Sequence, residues 1–294
     1  MFKFDEFCNL HRYKRAYMNR ILVPCDFSAE AMSAVKMAAE VATQSGSTLH
    51  ILNVVEVPVM HDSMLMPTLS FEEATMNELR DNAFKQFEKI KANLASLPVI
   101  TEVLYGSPAQ IISEYIKEKG IELIVMGTKG ASGLKEFLIG STAEKIVRNA
   151  ICPVITVRKE VSPRSIKSIV VPNSLESGQD VLLVKLKQLQ QMLKATLHIV
   201  WINTPANFTP DNITLVKLKD FATRYALTDY TLNIYNDVEE KSGVIAFARQ
   251  KEADMIAMGT HGRKGISHLL IGSIAEDVVN HVEIPIWTTH MDSH

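Results

Sequence analysis

The chain has 294 residues, a mass of 32.8 kDa and a formal net charge of −2 from 31 basic and 33 acidic side chains. That length accommodates about two domains with real cores, and a content of 47% apolar and 22% charged residues excludes a chain dominated by disorder. No apolar run approaches the roughly 18 residues of a membrane span, and the near-neutral charge offers no positive field for a nucleic-acid backbone, so neither partner is expected.

Residues 1–19 read as an N-terminal extension in which Lys3, Asp5, Glu6, Arg12, Lys14 and Arg15 are mixed with aromatics. They hold no apolar stretch of the roughly seven residues that a secretory signal needs. The cysteines, Cys8, Cys25 and Cys152, are widely spaced and form no CxxC. This is the usage of a reducing compartment, and a cytoplasmic location is expected.

The first copy of an internal repeat spans 20–160. Short apolar runs at 21–23, 49–55, 99–104, 123–126 and 154–157 read as strands, with longer stretches between them. Ser28 is placed to cap a helix whose buried stripe is Met32, Val35, Ala39 and Ala42, and Gly46 is placed to end it. A charged, Pro-containing junction at 158–164 leads to a second copy over 165–290. There Ile21-Leu22-Val23-Pro24 returns as Ile169-Val170-Val171-Pro172, and Thr48-Leu49-His50-Ile51 as Thr196-Leu197-His198-Ile199, both 148 residues later. Leu182, Leu186, Leu189 and Leu193 form the matching helical stripe. Apolar strands alternating with helices predict a parallel sheet covered on both faces, so each copy is expected to be a doubly wound, Rossmann-like α/β domain burying its own core.

In such a sheet a ligand lies beyond the carboxyl ends of the strands, where the winding reverses. The glycines fall there. Gly127-Thr128-Lys129-Gly130, nine residues and Gly140-Ser141 in the first copy match Gly259-Thr260-His261-Gly262, nine residues and Gly272-Ser273 in the second, 132 residues later. A strand precedes the first glycine and a helical pattern, Ala143, Ile146 and Val147, follows the last, so backbone N–H groups and a helix N-terminus can converge on a phosphate. The alternative is that the glycines only make tight strand-to-helix turns; the equal spacing in two copies favours a ligand. Neither GxxxxGK[ST] nor GxGxxG occurs, which weakens kinase, GTPase and dehydrogenase readings. No GxSxG elbow supports a hydrolase triad.

The pattern G-x2-G-x9-G-[ST] after a strand ending in Met, with Val-Pro-Cys-Asp-Phe-Ser at the first strand and Cys152-Pro153-Val154 before the last, resembles the universal stress proteins of the ATP-binding type, here in tandem. The resemblance implies a five-stranded parallel sheet per copy and ATP at the switch point, with Mg²⁺ or Mn²⁺ arriving on its phosphates. It implies pairing through the last strands, 154–157 and 286–289, as an intramolecular pseudo-dimer, and a possible homodimer of chains. It places Pro24, Cys25 and Asp26 at the adenine and ribose end, Val54 against the base, and Met126, Gly127, Gly130, Gly140, Ser141 and Thr142 around ribose and phosphates. In the second copy it places Pro172, Asn173, Ser174, Ile202, Met258, Gly259, Gly262, Gly272, Ser273 and Ile274. Ser174 stands where Asp26 offers a carboxylate, so the first site is expected to bind more tightly.

Lys129 and Lys135 beside the first loop, and His261, Arg263, Lys264 and His268 beside the second, read equally as phosphate neutralisers or solvated loop residues. No carboxylate constellation specifies a catalytic metal, so no catalytic residue and at most a weak ATPase are expected. His50 and His198, at matching strand positions, read as structural. Met60 to Met66, with its thioethers and His61, reads as a flexible lid over the first site in preference to a soft-metal site, and is replaced by a shorter stretch at 203–207 in the second. Cys25 and Cys152 read as small buried packing residues rather than sensors. The expected function is a nucleotide-binding stress or regulatory protein acting on an unidentified protein partner. The alternative is a nucleotide-free structural or partner-binding module of the same fold; an enzyme of the adenine-nucleotide α-hydrolase-like group would need a second substrate domain that the chain does not show.

Overall fold

In the computed structural model, which describes residues 18–56, 69–128, 139–175, 178–261 and 278–291, strands and helices alternate along both copies. The first half runs β1 (Arg20–Pro24), α1 (Ala29–Ser45), β2 (Thr48–Val55), α2 (Leu69–Asn93), β3 (Val99–Tyr105), α3 (Pro108–Lys119), β4 (Leu123–Gly127), α4 (Ser141–Asn149) and β5 (Val154–Val157). The second runs β6 (Ser168–Pro172), α5 (Asp180–Leu193), β7 (Thr196–Asn203), α6 (Asp211–Arg224), β8 (Tyr230–Asn236), α7 (Glu240–Gln250), β9 (Met255–His261) and β10 (Ile286–Met291). The expected caps form: the Ser28 hydroxyl accepts from the Ala31 N–H at 3.2 Å, and Gly46, at φ 72°, donates to the Ala42 carbonyl. Among the described residues no helix is long and apolar enough to cross a membrane.

Each half is the parallel, doubly wound sheet that alternating strands and helices predict, in the orders β3-β2-β1-β4-β5 and β10-β9-β6-β7-β8. The halves join into one ten-stranded sheet, because β5 and β10 lie antiparallel with Thr156 opposite Ile286, Ile155 opposite Trp287 and Val154 opposite Thr288. Ile155 and Trp287 are repeat counterparts, so a local two-fold axis passes between them.

The cores differ from the expectation that each copy would bury its own. On one face a single apolar cluster runs from α1 and Phe87 of α2, through Ile155, Val157 and Trp287, to α5 and Phe221 of α6. On the other, α3, α4 and α7 share a second cluster continuous through Val154 and Ile286. A two-fold axis perpendicular to a sheet keeps faces matched, so joining the edge strands merges the layers beside them. Full burial of each such aliphatic side chain contributes about 1.5–3 kcal/mol.

His50 is structural, as expected. Its Nδ1 lies 2.9 Å from the Tyr115 hydroxyl, which donates to Glu102 at 2.9 Å. Burial holds the His50 pKa below its ordinary 6.5, with Arg20 and Lys119 adding to that effect and Glu102 opposing it. Burial lowers His198 in the same way. The unfolded chain therefore takes up these protons first, so their contribution to stability is complete above pH 6.5 and is lost as the pH falls toward the folded-state values. The melting temperature is expected to fall as the pH drops from about 7 to about 5, and less steeply in His50→Gln; thermal denaturation across that range checks it.

Candidate functional site

β1 is flanked by β2 on one side and β4 on the other, so the crevice between their carboxyl ends is the place where the winding reverses. Three described walls surround it in the first copy: the β1–α1 turn, the end of β2, and the β4 end with the start of α4.

The first wall presents Asp26. The next residue, Phe27, has φ 65°, a left-handed conformation that a bulky side chain rarely adopts. Its ring packs on Phe87 at 5.4 Å between centroids, and Asp26 Oδ1 accepts from the Ser28 N–H at 3.1 Å and hydroxyl at 2.6 Å. These contacts hold the turn so that exposed Asp26 stands beside the strand end. Such a backbone costs of order 1–3 kcal/mol and concentrates at functional positions. The second copy repeats it at Leu175, φ 59°. Neither position carries a glycine or asparagine, so sequence reasoning missed this turn; two bulky residues after matching Val-Pro strand ends gave no signal for it.

Other expected site residues divide. The Cys25 thiol is buried on the α1 side, its pKa raised to about 11 chiefly by burial, while its carbonyl accepts from the Asn53 amide at 2.8 Å. Cys152 is likewise buried and raised to about 12 by burial. Met126 and Met258 are buried beneath the α3/α4/α7 face, so at the strand ends their main chains, rather than their thioethers, are the groups available to a ligand. Val54 is half-buried at the end of β2, and Pro24 is half-buried at the end of β1. Gly127 has a packing reason of its own: a Cβ there would lie 2.9 Å from the Glu30 carbonyl carbon, in the first turn of α1.

The third wall is the start of α4. Gly140 is its N-cap, with no side chain to cap the first turn, and its own N–H donates to the Thr128 carbonyl at 2.7 Å. Ser141 and Thr142 follow as the first helical residues, in the turn whose N–H groups have no acceptor within the helix and suit an anion. Beside them, the buried Thr128 hydroxyl has no hydrogen-bond partner among the described residues. Gly130, Lys129 and Lys135, the Met60 to Met66 segment, and Gly262, Arg263, Lys264, His268, Gly272, Ser273 and Ile274 lie outside the described residues, as does the side chain of His261.

The second copy is built differently at the same place. Asn173, the counterpart of Cys25, donates through its amide to Gln179 at 2.7 Å, and its Oδ1 accepts from the Leu175 N–H at 2.7 Å. Ile202, the counterpart of Val54, is buried and lies against Gly243 of α7. The segment after β7 is tied down by amides: Thr209 N–H to Asn203 Oδ1 at 3.0 Å, Thr204 N–H to Asn207 Oδ1 at 2.8 Å, and Asn207 to Glu240 at 2.7 Å. Ser174 supplies no carboxylate.

The first site is also tied to the second copy. Asn280 accepts from the Ile139 N–H, one residue before Gly140, at 2.7 Å. Arg158, just past β5, donates to the Val279 and Asn280 carbonyls at 2.8 Å each. Arg158→Ala is expected to cost about 1.5–3 kcal/mol, because it removes a charged donor from two carbonyls; urea denaturation reads it.

A sequence profile of the universal stress protein family matches residues 18–158 and again 165–290. The chain belongs to the universal stress protein family. A universal stress protein of Bacillus subtilis, YxiE, is 35% identical over 146 residues, covering 48% of this chain and 99% of the relative. The Methanocaldococcus jannaschii universal stress protein MJ0531 is 33% identical over 142 residues, covering 48% of this chain and 82% of the relative. Each aligns over about half of this tandem family member. The crystal structure of a universal stress protein from Archaeoglobus fulgidus superposes with a TM-score of 0.73 over 94% of this chain and 99% of that one at 18% identity, a likeness of fold.

Proposed function

We propose that this universal stress protein binds one adenine nucleotide, ATP, in its first copy, and acts as a regulatory binding protein without turnover. The observation that carries the reading is the pairing of an α4 N-terminus without a side-chain cap, next to a Thr128 hydroxyl that has no partner among the described residues, with an Asp26 carboxylate fixed by a left-handed turn across the same crevice. Phosphates suit the first and a ribose hydroxyl or base amine suits the second. Ser141, Thr142 and the Gly127 to Gly140 loop would hold the phosphates, and a divalent cation would arrive with them. Bound nucleotide would set the conformation of the loop after β2, and with it the affinity for a protein partner in the cytoplasm.

The second copy is proposed to bind more weakly or not at all, since Ser174 replaces the carboxylate and the Asn173–Gln179 pair fills the turn. The experiment is to purify the protein without added nucleotide, denature it, and quantify what is released. Close to one ATP per chain supports the reading, and close to two removes the asymmetry. If nothing is released and added ATP does not raise the melting temperature, as linkage requires, the nucleotide-free module is the better account. The contact of Gly127 with α1, which explains that glycine without a ligand, is the observation in its favour.

A further inference from the structure

We infer that residues 10–17 dock along an apolar groove between the two copies, against α5, taking there the path that the inter-copy linker 158–165 takes against α1. The groove, about 590 Å³, lies between α5 and the starts of β4 and β5, with Leu123, Pro153, Val181, Val184 and Leu189 on its walls and Trp287 among its lining residues. Ile151 on its rim is 59% exposed, a large apolar side chain among the described residues with nothing over it.

The two-fold relation says what belongs there. The counterpart groove, between α1 and the starts of β9 and β10, is crossed by the linker. Pro163 and Ile166 are buried in it, the Ser162 hydroxyl donates to Glu40 of α1 at 2.6 Å, Lys36 of α1 meets Glu160 at 2.6 Å, and Lys159 meets Glu283 at 3.0 Å. The linker then enters β6 by bonds that β1 repeats. Lys167 and Ser168 N–H groups donate to Asp254, as Asn19 and Arg20 donate to Glu122. The Thr196 N–H donates to the Lys167 carbonyl at 2.8 Å, as Thr48 does to Asn19 at 2.8 Å. Met18, the counterpart of Ile166, lines the groove. By the same 148-residue offset, the residues before Met18 correspond to the linker that crosses the first groove. Tyr13 stands where Val161 does, Lys14 at Ser162 and Arg12 at Glu160. On the groove wall Gln188 corresponds to Glu40 and Val184 to Lys36, so neutral groups stand where the first groove offers a carboxylate and an ammonium. Among the described lining residues Glu122 and Asp180 outnumber one cation, Lys185, a net negative balance that suits a segment carrying Arg12, Lys14 and Arg15.

The test uses the full chain in a Cys8→Ser background with Lys14→Cys and Gln188→Cys, treated with a short bis-maleimide and mapped by mass spectrometry. The expected result is a cross-link within one chain, absent when Arg249→Cys on the opposite sheet face replaces the Gln188 variant. As a second reading, Tyr13→Ala in a Trp201→Phe background is expected to red-shift Trp287 emission and increase its quenching by acrylamide. Cross-links no more frequent than in the control, with unchanged Trp287 emission, overturn the inference. Cross-links found only between chains also overturn it, because the groove would then receive a second copy.

Discussion

Asp26→Asn is expected to weaken ATP binding about tenfold to a hundredfold while leaving the melting temperature of the nucleotide-free protein near that of the wild type. The asparagine retains an Oδ1 that can accept from the Ser28 N–H and hydroxyl, so the turn at Phe27 and the cap of α1 survive. What it loses is charge, and a charge-assisted hydrogen bond to a ribose hydroxyl or base amine is worth roughly 1.5–3 kcal/mol. Asp26→Ala, by contrast, is expected to lose affinity and also about 1 kcal/mol of stability, because the turn that orients Ser28 goes with it. Calorimetric titration of ATP alongside thermal melts separates the two. Wild-type affinity in Asp26→Asn would remove the carboxylate from the site.

Trp287→Ala is expected to cost about 3–5 kcal/mol, a large part of a domain's usual stability. Trp287 is 2% exposed, lies opposite Ile155 at the two-fold axis, and belongs to the apolar cluster that spans both copies. Since that cluster is continuous, the wild type is expected to unfold in one transition, and the variant in two as the halves lose their shared filling. Ile155→Ala is expected to be non-additive with it, since the two side chains are neighbours. Urea denaturation followed by circular dichroism reads both. A loss below about 1 kcal/mol would mean that each copy is held by its own core.

Much of this architecture was legible in the chain. The returning Val-Pro and Thr-Leu-His-Ile segments marked the strands of both copies, and the Leu182 to Leu193 stripe marked α5, because a buried face imposes its period on the sequence. The place where the winding reverses was legible through the alternation of strands and helices, whereas Gly130, Gly262 and Gly272 of the spaced glycines lie outside the described residues. The turn at Phe27 and Leu175 was not, because its conformation is imposed by the Phe27–Phe87 packing and the Asp26–Ser28 bonds rather than chosen by a permissive residue. The packing role of Gly127 was hidden for a related reason: the atom that forbids a Cβ belongs to Glu30, nearly a hundred positions earlier. Arg158 looked like junction charge until its acceptors, at 279 and 280, came from the far end of the chain. The bonds of Asn203 with the Thr209 N–H and of Asn207 with Glu240 use polar side chains that alone signal nothing beyond a loop.

The antiparallel seam has a consequence for how such a chain can change over generations. Two separate subunits meeting through β5 and β10 would associate only as far as their concentration allowed, and either could exchange for a relative. The linker between Val157 and Ser168 makes the meeting intramolecular, at an effective concentration in the millimolar range that dilution does not alter. Each copy therefore always has its partner, and the partner is always the same one. The second copy can then keep its place at the seam even where its strand ends diverge from the first, as Ser174 does from Asp26.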